Sequence, residues 1–175
     1  MYPATPMQLG MLSQGFIEKE FTYIVQCDFL LTGHLNRTAL QEAWRYLINR
    51  HEIFRTSFVI SDYGQMLQVV SEESSIEWFD IDLRGMDSKI QKESIQEYYY
   101  LDKCKEFDLN ASPLMRFTTF LLSEKETYCL WTFHHALLDG WSTPIVMEEL
   151  FRVYEALNNA HTITLTNVTP YVEYI

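Results

Sequence analysis

The run Tyr128-Cys129-Leu130-Trp131-Thr132-Phe133-His134-His135-Ala136-Leu137-Leu138-Asp139-Gly140-Trp141-Ser142-Thr143-Pro144 decides the architecture. Tyr128 to Phe133 is apolar and rich in aromatic residues, which predicts a strand. Thr143 is the expected N-cap of the next helix, with Pro144 at its first position. That helix carries Val146, Leu150, Val153 and Leu157 on one face, the pattern of a helix packed on a sheet. Between strand and helix lie two histidines, an aspartate and a glycine. Neighbouring side chains of a strand point to opposite faces. One histidine of the pair therefore faces the interior and the other faces away, toward a cleft if there is one. Asp139 supplies a carboxylate nearby, and Gly140 allows a backbone turn that a side chain would block.

Working outward, strand and helix patterns alternate, which predicts an α/β class. Pro6 opens a short helix through Gln14, and Thr22 to Leu31 reads as a strand ending at Thr32-Gly33. Asn36 or Thr38 caps a helix with the stripe Leu40, Trp44, Leu47 and Ile48. Phe54–Ile60 and Gln65–Val70 form a hairpin around Ser61-Asp62-Tyr63-Gly64. A strand near Ile76–Ile81, a helix from about Asp87 to Glu106 and a strand Leu114–Leu122 complete the pattern. The expected product is a two-layer sandwich: a mixed, largely antiparallel sheet with helices packed on one face.

The 175 residues make one ordinary domain able to support a core of its own. Thirteen Lys and Arg against 24 Asp and Glu give −11, which works against nucleic acid and anionic membranes as partners. Cys27, Cys104 and Cys129 are odd in number and far apart, so free thiols and a reducing cytoplasm are expected. The start has neither the basic region nor the apolar stretch of a signal peptide, and no apolar run approaches a membrane span.

His34, His51 and His161 stand alone in polar contexts and read as surface or hydrogen-bonded structural residues. A metal site at His134 and His135 fails on spacing, because adjacent strand histidines diverge. A serine hydrolase fails too, since Ser142 is not in a Gly-x-Ser-x-Gly elbow. What remains is one histidine acting as general base or as a positioning hydrogen-bond partner, against the plainer reading of a core histidine beside a strand-end one.

The string His134-His135-Ala136-Leu137-Leu138-Asp139-Gly140-Trp141-Ser142 resembles the HHxxxDGWS signature of the condensation domains of nonribosomal peptide synthetases, in the wider chloramphenicol-acetyltransferase-like superfamily. Other stretches resemble the same family in order. Tyr2 to Leu12 is similar to its opening motif, and Asn49 to Phe58, with Arg50-His51-Glu52 and Arg55-Thr56, to its second. Phe107-Asp108-Leu109 with Pro113, Leu114 and Arg116 resembles the approach to the active-site strand, and Pro170 to Tyr174 the fourth motif. Heterocyclization domains, which carry a pair of aspartates here, and epimerization domains, which continue differently after the glycine, fit less well.

The resemblance implies that residues 1–175 are the N-terminal lobe of a two-lobed domain whose C-terminal lobe is absent. It implies amide formation between a donor aminoacyl or peptidyl thioester and the amine of an acceptor aminoacyl thioester, both on phosphopantetheine arms of carrier proteins. No cofactor or metal would be bound directly. The partners would be the upstream donor and downstream acceptor carrier proteins and the second lobe. His135 takes the catalytic position at the edge of an open cleft. Gly140 lends its backbone near the oxyanion, and Trp141 and Ser142 fix the start of the following helix. His134 and Asp139 are structural, with Asp139 ion-paired to Arg55. The lobe by itself is expected to be inactive. Two alternatives are a non-catalytic carrier-protein docking module and a coenzyme A-dependent acetyltransferase of the chloramphenicol type.

Overall fold

The structure, a computed structural model, describes residues 1–17 and 23–174. In chain order its elements are β1 (Tyr2–Pro3), α1 (Pro6–Ile17), β2 (Ile24–Thr32), α2 (Arg37–Arg50), β3 (Thr56–Ile60), β4 (Met66–Val70), β5 (Glu77–Asp82), α3 (Ser88–Lys103), β6 (Met115–Ser123), β7 (Glu126–His134) and α4 (Ser142–Asn158). Short 3₁₀ turns occupy Glu52–Arg55 and Tyr171–Tyr174. Thr22, the expected first residue of β2, lies outside the described residues.

Local chemistry sets several boundaries. Asn36 caps α2, its side-chain oxygen accepting from the Ala39 amide at 3.1 Å. The α2 stripe Leu40, Trp44, Leu47 and Ile48 is buried as its spacing requires. Asp87 caps α3 through the Lys89 amide at 2.8 Å. The β3–β4 turn needs Gly64, whose φ is +77°. The hairpin starts later than Phe54, because Phe54 sits in the 3₁₀ turn and inserts its fully buried ring beside Trp131.

The main sheet has the order β2-β7-β6-β5. β7 runs antiparallel to both β2 (Ile24 opposite His134) and β6 (Met115 opposite Phe133), and β5 lies parallel to β6. A smaller antiparallel sheet has the order β1-β4-β3. The α/β class and the mixed, largely antiparallel sheet are as expected. The placement of the helices differs in one respect. Cys129, Trp131 and Phe133 face the large core shared with α2 and α4, where Trp44 and Trp131 stand 4.9 Å apart. Leu130 and Phe120 face a second cluster with Ile95, Tyr98 and Tyr99 of α3. Helices therefore cover both faces. A central strand that is apolar on both alternations requires this.

The α3 face also holds a buried polar network. Arg116 and Asp102 are 2% and 6% exposed, and Arg116 Nε donates to Asp102 Oδ1 at 2.5 Å. Asp102 Oδ2 accepts from Thr132 Oγ1 at 2.6 Å and from Gln26 Nε2 at 2.8 Å. The guanidinium also donates to the Asp102 and Lys105 carbonyls and stacks on Phe107. This network joins the end of α3 to β2, β6 and β7. Arg116→Met leaves the Asp102 carboxylate buried and unpaired, so urea unfolding should show a loss of about 3–5 kcal/mol. Replacing both partners with apolar residues of similar volume should cost far less.

Candidate functional site

The β7 ladder continues just past the strand. The His134 amide donates to the Leu114 carbonyl at 2.9 Å on the β6 side, and the His135 amide to the Tyr23 carbonyl at 2.7 Å on the β2 side. The two imidazoles then diverge. His134 turns inward, where its Nδ1 accepts from the Ala136 amide at 3.1 Å. Burial, with a smaller contribution from neighbouring His135, pushes its pKa down to about 4, so the ring is neutral at physiological pH.

His135 is half-buried, and its Nδ1 lies 2.8 Å from the Leu138 carbonyl. A carbonyl only accepts, so Nδ1 carries the proton and Nε2 presents a lone pair. Nε2 has no hydrogen-bond partner among the described residues. The ring is thus held in one tautomer by a backbone carbonyl, with no carboxylate behind it. It can accept a hydrogen bond or a proton from an amine.

Asp139 is exposed and works locally. Its Oδ1 accepts from the amides of Trp141 (3.1 Å) and Ser142 (2.8 Å) and from Ser142 Oγ (2.7 Å). The Ser142 hydrogen bonds hold its carboxyl below the usual carboxylate range. Asp139 rather than Thr143 therefore satisfies the amides at the start of α4, whose N-cap position is Trp141, and Ser142 is the first helical residue with Pro144 two positions on. Proline fits there because the first turn makes no intrahelical N–H bonds. Ser142 Oγ donates to Asp139, as suits a cap.

Arg55 and Asp139, expected to pair, form no ion pair. Arg55 donates to the Ile48 carbonyl at 3.1 Å and to the Ser71 carbonyl, tying the end of α2 to the end of β4. Each group is already engaged: the carboxylate by amides at the start of α4, the guanidinium by the Ile48 carbonyl near the end of α2 and the Ser71 carbonyl after β4. The ion pair between these motifs is made by other residues. Arg50 forks onto Glu149 of α4 with both contacts at 3.2 Å, and His51 Nε2 meets Glu149 Oε2 at 2.6 Å. Burial pushes the Glu149 carboxyl up, but Arg50 and His51 outweigh it and hold the group below its ordinary value. The sequence reading missed Glu149. Its signal was a carboxylate directly preceding Leu150 of the buried stripe.

Gly140 is exposed, has no left-handed φ, and a Cβ there would meet nothing within 4 Å. The expected steric need for glycine is therefore absent among the described residues. Trp141 is 87% exposed and offers its indole to the surroundings rather than to the core. A cavity of about 290 Å³ lies among Arg50–Phe54, Leu137, Leu138, Ile145 and Val168–Tyr171, and His135 does not line it. Among the described residues, no three His, Cys, Asp or Glu side chains converge as a metal site requires.

Two outcomes follow from these contacts. In double-mutant cycles read by urea unfolding, Arg55→Ala and Asp139→Ala should add within about 0.5 kcal/mol, while Arg50→Ala and Glu149→Ala should show a coupling of about 0.5–3 kcal/mol. The second outcome concerns pH. Because the His134 pKa falls from 6.5 unfolded to about 4 folded, only the unfolded chain takes up this proton in that window. Stability should fall as pH drops from 6.5 toward 4, and His134→Asn, which keeps an acceptor for the Ala136 amide, should remove that part of the slope.

The family model for the condensation domain matches residues 1–175. A linear gramicidin synthase polypeptide of Brevibacillus parabrevis is 38% identical over 175 residues, covering 99% of this chain and 3% of that protein. Gramicidin S synthase 2 of Brevibacillus brevis is 34% identical over 176 residues, covering all of this chain and 4% of that protein. The crystal structure of the starter condensation domain of the rhizomide synthetase RzmA superposes with a TM-score of 0.88 at 17% identity, over 99% of this chain and 42% of that one. The first condensation domain of the calcium-dependent antibiotic synthetase, in complex with substrate analogue 2a, gives 0.84 at 20% identity, over 94% and 40%. The chain thus spans about two fifths of these solved domains and a few per cent of the synthetase polypeptides. With the family model matching from end to end, this chain belongs to the condensation-domain family.

Proposed function

We propose that this chain is the N-terminal lobe of a peptide-bond-forming condensation domain and that His135 is its catalytic residue. The observation that carries the reading is the His135 ring, fixed through Nδ1 on Leu138 with Nε2 unpartnered among the described residues. In the reaction, the amine of an acceptor aminoacyl thioester attacks the carbonyl of a donor thioester. The C–N bond forms, the C–S bond breaks, and the proton lost by nitrogen passes to the departing thiolate. Nε2 is suited either to take that proton in transit or to orient the amine N–H. An α-amino group is already about half neutral near pH 8, so the demand on the base is modest.

Holding two tethered reactants together can lower the barrier more than the base does. That role falls to the phosphopantetheine arms, the upstream and downstream carrier proteins, and the second lobe. Large synthetases as relatives, and the two-fifths coverage of solved condensation domains, support this division of labour. A cytoplasmic setting suits the free thiols of Cys27, Cys104 and Cys129. No helix among the described residues is long and apolar enough to cross a membrane.

The test is single-turnover amide formation with loaded donor and acceptor carrier proteins, using the two-lobed domain that contains this chain. His135→Ala should slow amide formation by about 10²–10⁴-fold. The 175-residue lobe alone should form none. Full activity of His135→Ala would remove the catalytic assignment.

A further inference from the structure

A buried chain of side-chain amides connects three distant parts of the sequence and ends on the histidine loop. Gln8 on α1 is 4% exposed and Gln68 on β4 is fully buried. Gln8 Oε1 accepts from the Thr5 amide at 2.9 Å and from Thr5 Oγ1 at 3.1 Å. Gln8 Nε2 uses its two hydrogens on Gln68 Oε1 at 3.0 Å and on the carbonyl of Ala136 at 3.1 Å. Gln68 Nε2 in turn donates to the Pro3 carbonyl at 3.1 Å. These donors and acceptors fix the direction of both amides, because reversing either would set like atoms against each other.

Ala136 is the residue after His135. Its amide is held by His134 Nδ1 and its carbonyl by Gln8, so both of its polar backbone groups are held by side chains. The turn that follows carries Leu138, whose carbonyl sets the tautomer of His135. We propose that Gln8 is a positioning residue: by anchoring the Ala136 carbonyl, it sets where the Leu138 carbonyl lies and hence where His135 Nε2 points. This rests on the catalytic reading of His135.

Gln8 is also the point where α1 meets the loop. Losing its Nε2 leaves the Ala136 carbonyl, on a residue only 5% exposed, without the donor that holds it. An unsatisfied buried acceptor is costly enough to drive the loop toward a rearranged turn. Small misplacements of a catalytic group reduce rate steeply. Gln68 separates this role from mere packing. Without the Gln68 amide, Gln8 keeps Thr5 on its oxygen and Ala136 on its nitrogen.

The experiment compares Gln8→Met and Gln68→Met in the complete two-lobed domain. Both remove one buried amide and should lower unfolding midpoints similarly. Gln8→Met should lower kcat by roughly 10- to 100-fold with little change in KM, while Gln68→Met keeps kcat within about twofold. Nitrogen chemical shifts of labelled histidine give a readout independent of turnover. They should show His135 as a pure Nδ1–H tautomer in the parent and in Gln68→Met, and as a tautomer mixture in Gln8→Met. Equal kcat losses in the two variants, or an unchanged His135 signature in Gln8→Met, would overturn the role of Gln8. A fully active His135→Ala in the same assay would instead overturn the catalytic reading, and the shifts would still decide whether Gln8 sets the ring.

Discussion

Where the β7 ladder ends governs everything downstream of it. The strand is hydrogen-bonded on both edges up to His134, and the last two ladder bonds run to opposite neighbours, Leu114 and Tyr23. A strand pinned on both sides cannot slip by one residue without sending every side chain to the wrong face. Here the penalty acts on both faces at once. Trp131 packs against Trp44 in the large core, while its neighbour Thr132 hydrogen-bonds the buried Asp102 on the α3 side. The same register that satisfies the core therefore sends His134 and His135 to opposite faces of the strand.

Beyond that point the loop is shaped by uncharged contacts. His134, the Leu138 carbonyl and Gln8 hold it from inside, and the one carboxylate in the segment is committed to the start of α4. A hydrolytic triad places a carboxylate behind the imidazole to stabilise the imidazolium that forms. His135 has only a carbonyl there. This suits the proposed amide formation, in which about half of the acceptor α-amine is neutral near pH 8 and alignment can lower the barrier more than a base does.

Charge does its structural work elsewhere. Arg50, His51 and Glu149 lock the end of α2 to the middle of α4, and Arg116 with Asp102 locks the end of α3 to the sheet. All of these side chains are 18% exposed or less, the setting in which removal of one member costs most. Arg55 looks equivalent to Arg50 in the sequence, five residues away. It differs because the 3₁₀ turn Glu52–Arg55 swings it toward the carbonyls of Ile48 and Ser71.

Local pattern was enough for the main helices and strands, though not for β1 or the 3₁₀ turns. The stripe of α2, its Asn36 cap, the Gly64 turn and the apolar run before His134 are set by spacing and by residue chemistry that acts within a few positions. The opposite facing of His134 and His135 needed only the two-residue period of a strand. Partnership across the chain was not legible. That α3 covers the second face, that Glu149 takes Arg50 and His51, and that Asp139 turns to its own helix all depend on the relative placement of packed elements. So does the contact of Gln8 with Ala136, 128 residues away. A side chain's identity states which bonds it can make. Only the packed structure, by bringing some groups within about 3 Å and engaging others first, decides which of them it makes.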